Sequence, residues 1–506
     1  MSAVAVIPQV EIELDGDPLA KNAAAALEDV RIQHRLSQPS VCELTFFVPR
    51  DSIPDLQNLR SGSAVRLTLP SGAGSLFDGE ITALEYGYGA DHGRTIRVRC
   101  YDKLHRLRKR QPVRVHVQVT PVDLARQLVG DLGLSVEAEE DGPLSPRLIQ
   151  HRQSDLDLLV EVSQRFGLYL TMRGDALHLI RLEGTGPCIP LELGKTLLQA
   201  RLEVNADPAC RSVLVKGWDA SRMEPHESRA ASARVGREVD AEAPPDRFGS
   251  SGERTLSDEV VPDDRYAASV AQAELDLRIS REVTFWGVAE GNPALLPGAR
   301  VEVDGIATSL AGRYVLTSVT HTVNRRTGFV SEVSSTPPVV EKHVKAASAV
   351  WGMVTNVDDP DKLGRVRASL PALGAVETDW MGVMAAGAGS GKGFVILPDV
   401  GDSVLVLCIG GDVAQGIVLG GLYGTNSPGD YGVEGTSIRR FSLGMPGGQK
   451  IKLDEAGDCI RLENKGGSFL EFSPKKFVLH SAVDLEIEAP GRGVAVTGKT
   501  IDFRQA

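Results

Sequence analysis

The sequence predicts a mainly β protein of several domains with a few helices, and three observations predict it. Short runs of alternating apolar and polar residues, punctuated by Pro, Gly and Asp, fill roughly the first 120 positions. A glycine-rich stretch after residue 350 packs about five strand-like runs into about 75 residues, the size and texture of a small Greek-key barrel of the OB type. The last ~57 residues repeat one motif, an apolar pair two residues apart.

Composition narrows the class. A length of 506 residues suggests three or four domains at about 150 residues each. With 55 Lys and Arg against 67 Asp and Glu, the net charge is −12, which argues against nucleic acid as a partner. No run approaches the ~18 uninterrupted apolar residues that stable membrane insertion needs. The opening MSAVAVIPQVEIELDGD has no cationic leader, so synthesis in the cytoplasm without a signal peptide is expected. Cys42, Cys100, Cys188, Cys210, Cys408 and Cys459 are scattered without CxxC spacing and are expected to be buried small hydrophobes.

In chain order, VEIEL, CELTFFV, AVRLTL and IRVRCYD read as antiparallel strands. TPVDLARQLVGDLG then changes period: Thr120 caps a helix, Pro121 sits in its first turn and Gly ends it. SDLDLLVEVSQRFG repeats the device, opened by Ser154 and closed by Gly167, with Asp155 and Asp157 favoured at the positive end of the helix dipole. LYLTMRGDALHLIRL returns to strand, turn and strand. From Trp218 to Asp264 large apolar residues are few, so an exposed excursion is expected. A helix resumes at RYAASVAQAELDLRIS, followed by strands at REVTFWGVAE, ARVEVDG and YVLTSVTHTV. TPPVVEKHVKAASA reads as a linker.

The C-terminal pairs are Ile451/Leu453, Ile460/Leu462, Leu470/Phe472, Phe477/Leu479, Leu485/Ile487, Val494/Val496 and Ile501/Phe503. Each strand is too short, and its apolar stripe too narrow, to make a globular core alone. Three copies wrapped into a prism would turn every pair toward a common axis and satisfy every edge. Seven strands would stack into a rod on the order of 30 to 40 Å long.

The segment GMVTNVDDPDKLGRVRASLP, followed by AGSGKGFVILPDVGDSVLVLCIGGDVAQGIVLGGLYG, resembles the OB domain of the VgrG family, spike proteins of contractile injection systems. The family pattern falls on Asp359, Pro360, Leu363, Gly364, Arg365, Val366, Gly393, Phe394, Pro398, Gly401, Asp402, Val404, Gly420, Leu422 and Tyr423. YDKLHRLRKRQ, QSDLDLLVEVSQRFGLYL, LVKGWD and LLPGARVEVDG resemble the hub half of the same proteins and of phage tail hubs.

The resemblance implies a hub at 1–335 with two β-barrels and helical insertions, a linker at 336–349, an OB-fold domain at 350–428 and an intertwined trimeric β-helix at 429–506. It implies a structural, non-enzymatic homotrimer that seeds the inner tube and pierces a target envelope when a sheath contracts. Spike-core residues would be Ile451, Leu453, Ile460, Leu462, Leu470, Phe472, Leu485, Ile487, Val494 and Val496. Thr500, Ile501, Asp502 and Phe503 would dock a conical PAAR-type tip protein. Other implied partners are the inner tube ring, baseplate proteins and, as an open class, effector cargo. The implied particle would be phage-tail-like or type VI-like, and cytoplasmic, membrane-anchored or released. No cofactor or metal is implied, and fewer than about thirty residues separate Tyr423 from Ile451, too few for an inserted lysozyme domain.

Competing chemistry is weak. AAGAGSGKGF lacks the first glycine, the hydroxyl and the following helix of a phosphate loop. Asp102 and His105 are spaced like a catalytic pair but have no nucleophile beside them. Lys103, His105, Arg106, Arg108, Lys109 and Arg110 form the strongest basic run, a solvated face or a contact for an acidic partner. His92, His116, His151, His178, His321, His343 and His480 show no metal spacing. Trp351 and Trp380 read as barrel core or collar contacts. The rival functions are a tail-associated peptidoglycan hydrolase and a receptor-binding fibre.

Overall fold

The computed structural model describes residues 10–48, 56, 58–70, 75–89, 94–219, 222–339, 347–408, 413–414 and 416–504. His92, His343 and the middle of the expected linker, 340–346, lie outside the described residues. The chain divides into two compact units, Met1–Gly421 and Leu422–Ala506.

The first unit is organised by an eleven-stranded sheet assembled from two separated stretches of sequence. One half comes from residues 11–101 and the other from residues 197–334, and they join where Leu27–Arg35 runs antiparallel to Ser318–Asn324. Each half wraps its own core. Ile32, Leu44, Phe46, Leu67, Phe77 and Val98 fill the first, and Leu197, Phe285, Val301, Tyr314, Val319 and Val333 the second. These are two half-barrels that share one sheet.

Between the halves sits a helical layer whose ends are set by local chemistry. Thr120 accepts from the Asp123 backbone N–H while Asp123 reaches back to the Thr120 N–H, a capping box with Pro121 at the first helical position. Ser154 and Asp157 build the same box for the helix Asp155–Arg165, and Gly167 leaves it with a left-handed φ of +72°. The third helix, Asp264–Glu282, is capped by Asp263 and lies on a three-stranded sheet.

That sheet corrects one expectation. Residues 218–264 do not form an excursion: Glu224–Ala230 and Glu253–Val260 flank Ser212–Asp219 as paired strands. Only one face of this sheet needs apolar side chains, and Val213, Val215, Ala230 and Val261 supply it against the helix.

The OB segment is a six-stranded sheet spanning Ser348 to Leu422, with Val354, Val366, Ala368, Val404, Val406 and Val418 inside. Ile149, on the strand Ser145–Gln150 that pairs with Arg114–Val119, packs into this same core, and Arg147 donates to the Glu377 carbonyl at 2.7 Å. Four cysteines are buried, as expected of small hydrophobes; Cys188 is exposed and Cys459 half-buried.

Candidate functional surface

The second unit centres on a five-stranded antiparallel meander: Arg440–Gly444, Lys450–Asp454, Cys459–Glu463, Phe469–Phe472 and Phe477–His480. Strand alternation sends every second side chain to one face. The registers align these side chains into two columns. Leu443, Ile451, Leu462, Leu470 and Leu479 stand opposite one another in the first, and Phe441, Leu453, Ile460, Phe472 and Phe477 in the second. The sequence pattern had placed the start of the repeat at Ile451; the pair Phe441/Leu443 extends it by one strand.

Among the described residues of the unit, nothing covers these columns. Phe441 is 70% exposed and Ile460 45%, and among the described residues beyond Gly421 no apolar side chain is buried. Two open grooves of about 590 and 430 Å³ follow the two columns. Full burial of a large apolar side chain is worth about 1.5–3 kcal/mol, so covering ten half-exposed ones would contribute on the order of 10 kcal/mol.

The opposite face is built for water. Arg461 bridges Glu463 at 2.8 Å and Glu471 at 2.9 Å, and these two carboxylates raise its already high pKa. Lys452 meets Asp454 at 3.0 Å; the Gly457 N–H, and then Lys452, hold that carboxyl below its ordinary range. Like-facing charges of opposite sign keep this face soluble and leave the other as the sticky one.

After His480 the described backbone, residues 481–504, continues without strand partners. Leu485/Ile487, Val494/Val496 and Ile501/Phe503 remain exposed, as does the stretch Thr500 to Phe503, with Phe503 at 94%. The expected seven-strand ladder is therefore completed within one chain only as far as Phe477/Leu479, because a strand exists only where a neighbour supplies hydrogen bonds.

The OB motif residues are structural. Asp359 and Arg365 form a buried ion pair, 3% and 5% exposed, with Arg365 Nη2 at 2.7 Å from Oδ1 and Nε at 3.1 Å from Oδ2. Asp359 also accepts from the backbone N–H groups of Asp361, Leu363 and Arg365, which fixes the turn after Pro360. Gly364 turns with φ +73°, a value a side chain would resist. Asp402 accepts from the Asp399 N–H and donates its own to the Asp399 carbonyl; with Pro398 and Gly401 it makes the bend into Ser403–Cys408. The suspected phosphate loop is a tight turn, Gly389 and Lys392 exchanging backbone hydrogen bonds.

The suspected catalytic pair is not brought together. Asp102 accepts from the Ser40 and Leu104 N–H groups, whereas His105 faces Glu80. Glu80 is held down to about 2, chiefly by Arg106, and burial keeps His105 below its ordinary value. The basic run is largely neutralised from within: Lys103 pairs with Asp175, Arg106 with Glu80, Arg110 with Asp131, and Arg108 lies over the Tyr101 ring. Trp351 is 45% exposed, which corrects the core reading, and Trp380 lies under the Arg367 guanidinium. Among the described residues no group of three or more His, Cys, Asp or Glu could hold a metal ion, and no helix is long and apolar enough to cross a membrane.

Residues 350–423 match the domain family described as the type VI secretion system/phage-baseplate injector OB domain, and residues 9–325 match the family described as the Alg8 N-terminal domain. No curated protein is detectably similar in sequence. Solved structures share the fold. The lidded PdpA–VgrG complex of Francisella matches with a TM-score of 0.57 at 10% identity, over 94% of this chain and 80% of that one. The E. coli c3393 protein, a type VI secretion component that itself resembles the T4 tail proteins gp27 and gp5, matches with a TM-score of 0.51 at 12% identity, over 78% and 96%. A 43 kDa tail protein of prophage MuSo2 from Shewanella oneidensis matches with a TM-score of 0.51 at 15% identity, over 65% and 98%.

Proposed function

We propose, for a chain that belongs to the Alg8 N-terminal-domain family and carries an injector OB domain, that it is the structural hub and spike of a contractile injection machine. The observation that carries this reading is the pair of uncovered apolar columns in the second unit. Three chains would bury them against one another and supply the strand neighbours that residues 481–504 lack. Spike domain, OB collar and hub would follow the boundaries 429–506, 350–428 and 1–335, with 336–349 between hub and collar.

In this reading the two hub barrels of three chains offer six similar rims to an inner tube ring, and Thr500, Ile501, Asp502 and Phe503 offer an apolar end to a PAAR-type tip protein. The protein acts by bearing load, not by catalysis: parallel ladders of hydrogen bonds spread force so that no strand peels alone. The hydrolase alternative would need an acid and a partner carboxylate in one cleft, and Asp102 and His105 turn to different partners.

Native mass measurement of the full chain tests the proposal. A species of about three times 54.1 kDa is expected; a monomer at micromolar concentration refutes it. Release of fragments from purified cell-wall sacculi would favour the hydrolase instead.

A further inference from the structure

Where the two halves of the hub sheet join, each contributes a buried histidine. His34 stands on Leu27–Arg35 and His321 on Ser318–Asn324; they are 8% and 1% exposed, and their rings meet edge to face with centroids 5.8 Å apart. Each uses Nδ1 on a serine hydroxyl, His34 with Ser40 at 3.0 Å and His321 with Ser331 at 2.9 Å. Each Nε2 is buried without a well-formed hydrogen bond. The nearest backbone groups, at Leu76 and Leu295, favour the protonated rings less than burial disfavours them.

That arrangement suits neutral rings only. A neutral imidazole can place its single N–H on Nδ1, toward the serine, and leave Nε2 bare. A protonated one must bury a second N–H at Nε2, where the backbone at Leu76 or Leu295 offers too little to offset the loss of water, beside another ring of the same kind. The strand pairing beneath is what ties residues 11–101 to residues 197–334 within the sheet, so a penalty here falls on the junction itself.

We propose that His34 and His321 form an acid-sensitive latch across the hub seam, closed at neutral pH and released on acidification. The groups facing the pair are Ser40, Ser331, the Phe329 ring and the backbone at Leu76 and Leu295; the ionisable group joined to it is Asp102, whose carboxylate accepts from the Ser40 N–H at 2.7 Å. Burial lowers His34 to about 4 and His321 to about 3, and raises Asp102 to about 6. The signs oppose. Below the ordinary histidine range the unfolded chain binds two protons that the native seam refuses, while Asp102 takes up its proton sooner in the native state. Two imidazoles against one carboxylate leave a net loss of about tenfold in the closing equilibrium per pH unit between roughly pH 6 and 4.

The test is hydrogen exchange on the intact, full-length protein at pH 7 and pH 5, read by mass spectrometry at the backbone and at the imidazole C2 positions. After correction for intrinsic rates, protection of Leu27–Arg35 and Ser318–Asn324 should fall about tenfold or more at pH 5, with both rings titrating below pH 5. The variant His34→Asn/His321→Asn should abolish the acid-induced loss and, with Asp102 alone remaining, leave protection equal or higher at pH 5. Unchanged seam protection, or native rings titrating near 6.5, overturns the proposal; if the variant does not fold, the wild-type ring titrations decide.

Discussion

The two units of this chain solve opposite problems. In Met1–Gly421 the chain encloses apolar cores of its own, in two barrel cores, a helical layer and an OB core, although Phe394, Val395, Ile396 and Val400 stay exposed. In Leu422–Ala506 the same alternation of apolar and polar residues yields a sheet with nothing over its apolar face. A period-two pattern thus specifies which face is apolar without specifying what covers it; cover depends on whether the chain returns. The first unit returns through helices and long connections, and the second only turns back on itself through tight hairpins.

Mutations should separate the units. The largest effect is expected from placing charge in both columns, Leu453→Asp with Leu462→Asp: association should be lost on native mass measurement, while the melting of the first unit stays where it was. If the variant still associates, the uncovered face is not the interface. Next, Arg365→Met leaves the Asp359 carboxylate buried and unpaired, and should cost the OB core about 3–5 kcal/mol in denaturant unfolding. Arg365, with the backbone donors, holds Asp359 well below the ordinary carboxylate range, so its stabilisation is present above about pH 4 and is lost only as pH falls through the lower native value. Phe285→Ala, in the second barrel, should cost a similar 3–5 kcal/mol without changing oligomeric mass. Ser154→Ala should remove one capping box for about 1 kcal/mol. Lys362→Ala, in an exposed pair with Asp358, should change nothing measurable and serves as the control.

What could be read from the sequence was local. The capping residues Thr120 and Ser154, the hairpin through Gly174 and the apolar pairs from Ile451 to Leu479 each depend on neighbours a few positions away, and each stands where the pattern put it. What escaped was long-range. Glu224–Ala230 is a strand because a helix begun at Asp264 needs a floor, which its polar composition conceals. Ile149 belongs to the OB core although in sequence it lies between the helices Pro121–Val129 and Asp155–Arg165. His321 looked like one of several unremarkable histidines until the seam set it against His34. In the candidate surface the residue identities were readable, whereas the two-column alignment required the registers.

The meander also constrains how such a tail can change in length. Inserting one residue within a strand would exchange its wet and apolar sides, so the column would lose a member and gain a charge. Adding a whole hairpin leaves every existing column in phase and lengthens the meander by two strands. Growth or trimming of the tail should therefore proceed in hairpin-sized increments, which makes its reach a discrete quantity that duplication of a short segment can tune.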